Sequence, residues 1–164
     1  MEPIHKQGPG QEHQKSHIIQ LFAMIIFFII WIIDSFIFTF STILTGYIPI
    51  IIQIIGFISF LPLGLILSFR AGHVIFQAEN SNKLITTGIL SHTRHPLYLG
   101  VLIIYVGFIF LTMSLISIVG LIIAFLLYNY IASFEENELI EIFKEEYLEY
   151  KKRVPKWIPS IRSR

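Results

Sequence analysis

Long apolar runs alternate with short polar breaks along this chain, and the breaks delimit the elements. Ile18–Ile33 is almost wholly apolar and predicts the core of a first membrane helix. Ile48–Phe69 predicts a second, interrupted by Pro62, which a lipid-embedded helix tolerates when neighbours satisfy the freed backbone groups. Leu97–Thr112 and Leu115–Ile131 predict a tight hairpin of two helices, each near the lower length limit of about 17 residues for a span. The stretch Ser35–Thr45 either extends the first helix past Asp34 or lies in the interface. After Ile131 the pattern changes. Leu139, Ile142, Phe143 and Tyr147 stand among acids, the pattern of an amphipathic helix over Glu135–Tyr150. The run "RVPKWIP" ends it: Pro155 and Pro159 break the helix, and Trp157 and Ile158 suit a membrane-interface anchor. The expected fold is all-α: an integral-membrane helical bundle of about four, or five, spans with an amphipathic C-terminal helix.

Composition supports a membrane solvent. The 164 residues are 54% hydrophobic and 14% charged, against about 25% charged in soluble domains. No cysteine is present, which excludes disulfides, thiolate metal sites and cysteine nucleophiles. So apolar a chain is a poor nucleic-acid binder. The net charge of +1 says little, but the placement of charge says more. All twelve Lys and Arg fall in the N-terminal leader, in residues 70–94, or after Phe143. Four spans put these three regions on one side, which the positive-inside rule makes cytoplasmic, with both termini. Asp34 is the one acid expected on the far side, better read as a cap than as a functional group. Residues 1–17 read as a polar, mobile leader without a signal-peptide cleavage site. Within it, His13 and His17 have helical spacing that could hold a metal, but a solvated leader is the simpler reading. Residues 18–164 form one membrane domain. Gly100 and Gly107 stand one heptad apart on the third helix and are expected to let the fourth pack closely. Lys151–Arg153 reads as a basic strip against anionic headgroups.

The chemistry-bearing residues gather at two places. In "SHTRHPLYLG", Pro96 fits the first turn of a helix. Arg94 and His95 flank that helix's N-terminus, whose N–H groups attract anions. His95, Tyr98, Leu102 and Tyr105 then share a stripe. Headgroup anchoring is the plain alternative. "FEENE" begins where the fourth span ends. A hairpin with a short turn brings Glu135 and Glu136 to the same side as Arg94 and His95. Tyr128, Ala132 and Glu135 share a face. Paired carboxylates beside lipid are costly unless partnered or used, so the cluster is either a structural ion pair or a site. Arg70–Thr93 reads as a long loop with Gly72, Gly88 and a polar cluster at Gln77–Lys83, and long ordered loops tend to be functional. No Rossmann glycine fingerprint appears.

From about His73 onward the chain resembles the isoprenylcysteine carboxyl methyltransferases and the small membrane methyltransferases around them, including phospholipid N-methylating enzymes. The resemblance rests on "LITTGILSHTRHPLYLG" at 84–100 and "EENELIEIFKEEYLEYKKRVP" at 135–155, separated by a hairpin. It implies S-adenosyl-L-methionine as methyl donor, in a pocket spread over residues 73–164. Carried over by position, the donor would meet Asn82, Lys83, Leu84 and Ile85, then His95, Pro96, Leu97 and Tyr98, and Glu135, with Gly88 at the turn between. A helix N-terminus with His95 suits an anion, Glu135 suits hydroxyls or a cation, and the Tyr98 ring suits a sulfonium or an adenine. Two positions depart from the family pattern. An arginine tied to substrate in the eukaryotic enzymes is Ile131 here, and an aromatic contact to the donor is Leu90.

The implied acceptor is a lipid-like or prenylated molecule entering sideways from the membrane lipids. Methyl transfer is a direct displacement that depends on alignment. A carboxylate acceptor is already ionised and needs only a positive guide such as Arg94. An amine acceptor must lose a proton, for which Glu136 is the candidate base. Carboxyl O-methylation is the leading expectation, and phospholipid or amine N-methylation and thiol S-methylation are the alternatives. A non-catalytic membrane scaffold is the alternative of another class.

Overall fold

A computed structural model describes residues 14–78 and 83–159, with the side chains of 14–17 and 76–78 excepted. Helix α1 spans Gln14–Ile32 and widens into a π turn over Ile33–Phe38, so the first element runs past Asp34 to Phe38. Thr39, at φ 47°, ends it, and a 3-10 turn over Ile43–Gly46 leads into α2, Ile50–Ala78. Helix α3 is Pro96–Thr112, with Pro96 in its first turn. Met113, at φ 49°, and Ser114 make the hairpin turn into α4, Leu115–Phe143. Lys144, at φ 50°, separates α4 from α5, Glu145–Arg153. The described residues are helical with no strand. Ile18–Phe38, Ile50–Ile75 and Leu115–Phe143 are long and apolar enough to cross a membrane. Helix α3 is shorter, 17 residues or about 25 Å. The outward faces carry exposed Phe22, Ile51 and Ile123, so this is an integral membrane protein whose outer surface lipid must solvate.

The helices run alternately up and down. At one end Asp34 accepts from the Ser41 backbone (3.0 Å), the Ser41 hydroxyl (2.6 Å) and the Ser114 hydroxyl (2.5 Å). Trp31 Nε1 and the Ser35 hydroxyl both donate to Thr112 Oγ1 at 2.9 Å. These bonds tie the α1–α2 connection to the α3–α4 turn. Asp34, inside the π turn, is therefore a buried staple between the two connections. Between the ends lies an aromatic core. Phe27 stacks on Tyr105 with centroids 3.9 Å apart, and Phe28 meets Phe108 edge-on. Tyr105 and Tyr128 share a hydroxyl hydrogen bond of 3.1 Å. All charged side chains of the described residues other than Asp34 lie at the opposite end.

Several expectations need correction. Gly100 and Gly107 face α2 and not α4. A Cβ on Gly100 would come within 2.3 Å of Ser68 Oγ, and one on Gly107 within 3.1 Å of the Leu61 nitrogen. Gly64 completes this seam from the α2 side, since a Cβ there would lie 2.7 Å from the Gly100 carbonyl. Heptad spacing marks a close-packing face without saying which neighbour fills it. The loop read from Arg70 is helical to Ala78, because Ala71 and Ile75 continue the buried stripe of α2. The amphipathic segment is not one helix over Glu135–Tyr150. Helix α4 continues without interruption to Phe143, and α5 begins after Lys144. The polar leader is helical from Gln14. His13 and the His17 side chain lie outside the described residues.

Candidate active site

Three segments meet at the charged end. The first precedes α3. Gly88 sits at φ 65°, a conformation that disfavours a side chain, and opens a 3-10 turn over Gly88–Ser91. Leu90 is buried, and its carbonyl accepts the Tyr150 hydroxyl at 2.7 Å. The second segment is the last turns of α4. The third is a strap, 154–159, that returns from α5 across the N-terminus of α3. The strap is held at both edges. The Arg94 backbone N–H donates to the Pro155 carbonyl at 3.0 Å, and the Thr93 hydroxyl to the Lys156 carbonyl at 2.9 Å. On the α4 side, Trp157 Nε1 donates to Asn129 Oδ1 at 3.1 Å, and Lys156 Nζ to the Asn129 carbonyl and the Ser133 hydroxyl.

Under the strap the predicted charges converge. Glu136 lies 3.2 Å from Arg94 Nη1, 3.1 Å from His95 Nε2 and 3.0 Å from Lys151 Nζ. Glu135 accepts the Tyr98 hydroxyl at 2.8 Å and lies 3.9 Å from His95 Nδ1. A carboxylate only accepts, so His95 Nε2 carries the proton toward Glu136 and Nδ1 faces Glu135. Burial pushes the His95 imidazole below its ordinary value, against the upward pull of Glu136. Burial also raises the phenols of Tyr147 and Tyr150 above their ordinary value. Arg94 Nε and Nη1 are buried and make no hydrogen bond; the contact of Nη1 with Glu136 is ionic and poorly aligned. A buried guanidinium with N–H groups to spare can take a further carboxylate.

Of the predicted residues, Arg94, His95, Tyr98, Glu135 and Glu136 form one cluster. Pro96 is buried in the first turn of α3, and Leu97 is half-buried beside it. Leu84 packs against the α4–α5 junction at Leu139, Tyr147 and Tyr150, Ile85 is half-buried, and Lys83 is exposed. Asn82 lies outside the described residues. Tyr98 is placed differently from the ring platform expected of it. It is fully buried, with its ring between those of His95 (5.8 Å) and Tyr128 (5.2 Å). It acts on the site through its hydroxyl, by holding Glu135. Ile131 lies in the apolar core beside Tyr98 and Tyr128. Sequence reasoning missed three contributors. Lys151 was read as part of a headgroup strip and instead reaches Glu136. Trp157 was read as an anchor and instead lies against His95 and Phe125. Asn129 had no pattern to mark it. Only the Pro155–Pro159 bracket signalled that the chain turns back here.

Fold and cluster together define a polytopic helical membrane protein with a buried Arg–His–Glu–Glu site under a C-terminal strap, at the end where two hairpin helices open. The sequence profile of the phospholipid methyltransferase family matches residues 41–146, and the chain belongs to that family. It is 37% identical over 99 residues to the protein-S-isoprenylcysteine O-methyltransferase of Saccharomyces cerevisiae, covering 56% of this chain and 41% of that protein. It is 36% identical over 103 residues to the enzyme of that name from Mus musculus, covering 57% and 35%. The matches thus span less than half the length of these relatives. A solved structure of the eukaryotic intramembrane Ras methyltransferase (isoprenylcysteine carboxyl methyltransferase) superposes with a TM-score of 0.58. That superposition covers 92% of this chain and 54% of the other at 20% identity, a likeness of fold.

Proposed function

We propose that this protein is an S-adenosyl-L-methionine-dependent methyltransferase acting on a carboxylate of a membrane-dissolved, isoprenylcysteine-like acceptor. The observation that carries the reading is the Arg94 guanidinium, ion-paired to Glu136 through Nη1 but with its buried Nε unbonded, beside a carboxylate that already holds two other basic side chains. The names of the relatives support the reaction class. The charged end faces the cytoplasm in this reading, because every described Lys and Arg lies there. Residues 18–164 act as one methyltransferase domain.

The residues present fit the donor. Arg94 offers N–H groups to a carboxylate, and Glu135 suits an ammonium or ribose hydroxyls. The segment from Lys83 to Ile85, with Gly88, Pro96 and Leu97, walls the same end. The donor supplies an electrophilic methyl group on a sulfonium. The chain's own work is orientation and exclusion of water. Tyr98 fixes Glu135, and Glu136 fixes Arg94 and His95. The strap, through Trp157, covers His95 from solvent. A carboxylate acceptor is ionised at neutral pH and needs no base. An amine acceptor needs one, and Glu136 would have to release its basic partners to serve. The family profile, named for phospholipid methylation, favours keeping amine transfer as the second reading.

Transfer of radiolabelled methyl from the donor to a farnesylcysteine, to phosphatidylethanolamine and to an alkyl thiol separates these readings. A base-labile ester on the farnesylcysteine is the expected product, and Arg94→Gln lowers its rate about a hundredfold. A methylated phosphatidylethanolamine with no ester would overturn the choice of acceptor. Absence of every product, with no donor binding, would leave a scaffold role.

A further inference from the structure

A second opening lies outside the cluster, on the lipid-facing side of the charged end. It is a groove of about 810 Å³ between the last turns of α2, the 3-10 turn before α3 and Pro159 of the strap. Its walls differ by height. Leu67, Phe69 and Val74 make the apolar wall, and Ile89 faces them from the turn. Arg70 and His73 follow Leu67 and Phe69 along α2 toward its charged end, Val74 lies just beyond them, His92 stands on the turn, and among the described residues no acid lines the groove. Arg70 follows Ile50 by twenty residues of continuous helix, a rise of about 30 Å, the thickness of a bilayer's hydrocarbon core. Arg70 therefore stands where headgroups begin, and Leu67 and Phe69 stand where acyl chains end. Leu67, Arg70 and Val74 share one face of α2, so one molecule can touch both zones. Arg70, His73 and Phe69 are exposed.

We propose that this groove binds an anionic phospholipid of the surrounding bilayer. The headgroup phosphate docks on Arg70, His73 and His92, and an acyl chain lies along Leu67 and Phe69. A basic pocket at this depth, flanked by apolar wall, matches a phosphate carried on a hydrocarbon chain better than it matches a soluble anion. None of Arg94, His95, Glu135 and Glu136 lines the groove, although Thr93 and Gly88, the latter also a wall of the donor end, do. The proposal stands whichever acceptor the protein methylates.

The test uses the full chain in nanodiscs of phosphatidylcholine, with and without phosphatidylglycerol, and counts retained lipids by native mass spectrometry. The wild type should retain phosphatidylglycerol over phosphatidylcholine. Arg70→Gln should lower that preference about fivefold, the effect of one basic side chain at an anionic surface. Val74→Trp, which fills the groove and leaves Arg70 in place, should lower it as well. Lys152→Gln, an exposed residue paired with Glu149, should leave it unchanged. Melting temperatures show which variants fold, and either groove variant alone suffices. Equal retention of the two lipids, or a preference that survives both groove variants, would overturn the proposal. So would displacement of the lipid by inorganic phosphate, which would make the site one for a soluble anion.

Discussion

Glu136 is the residue on which most charge converges. Removing its charge leaves Arg94 and His95 buried without their acidic partner, a change that costs about 3 kcal/mol or more. Glu136→Gln is therefore expected to lower the unfolding midpoint in detergent well below that of Lys152→Gln, whose pair with Glu149 is solvent-exposed. Equal midpoints would show that the cluster is not a structural support. His95 gives the pH dependence. Its folded value lies below the ordinary 6.5, because burial outweighs Glu136. As pH falls, the unfolded chain takes up the proton first. The contribution of neutral His95 is thus complete above the unfolded value and is lost as pH falls through the folded one. Melting curves taken at descending pH should fall more steeply for the wild type than for His95→Gln. This cluster was legible in the sequence because a short hairpin leaves little choice about which residues meet at its open end. Lys151 and Trp157 were not legible. Their partners lie across a break at Lys144 and a turn at Pro155, and neither break announces its direction.

At the scale of elements, the contact of α2 with α3 is the most constrained. Gly64, Gly100 and Gly107 bring the two backbones together, and a side chain at Gly100 would collide with both Ser68 Oγ and the Ser68 nitrogen. The nitrogen belongs to helical backbone and cannot rotate away. Gly100→Val is expected to cost about 3 kcal/mol, read as lost thermal stability, with loss of the groove because α2 is one of its walls. Unchanged stability would mean the helices are not seated as described. Helix type and number followed from the apolar runs, since lipid permits little but helix. Helix ends did not. Helix α2 runs on through Arg70 because Ala71 and Ile75 keep burying its stripe, although charge suggested a boundary. Helix α4 carries Glu135 and Glu136 inside a continuous helix because their partners neutralise the cost of burial.

For the whole molecule, the two ends have opposite chemistry. One is closed by neutral hydroxyls around Asp34, and the other carries the cations. The chain has no cysteine, so single cysteines report topology without background. Thr42→Cys, beside the Asp34 staple, and Lys152→Cys, on α5, should label from opposite faces of sealed vesicles, with Lys152→Cys reached from the cytoplasmic face. Labelling of both from one face would contradict the arrangement of spans.

The central claim is that the open ends of α3 and α4 hold a methyl donor between Arg94 and Glu135. Calorimetric titration of S-adenosyl-L-methionine into the purified full chain tests it most directly. The account predicts saturable binding, weakened at least tenfold by Glu135→Gln and by Arg94→Gln and unchanged in Lys152→Gln. Saturable binding that both site variants leave intact, or no binding by the folded wild type, would contradict it.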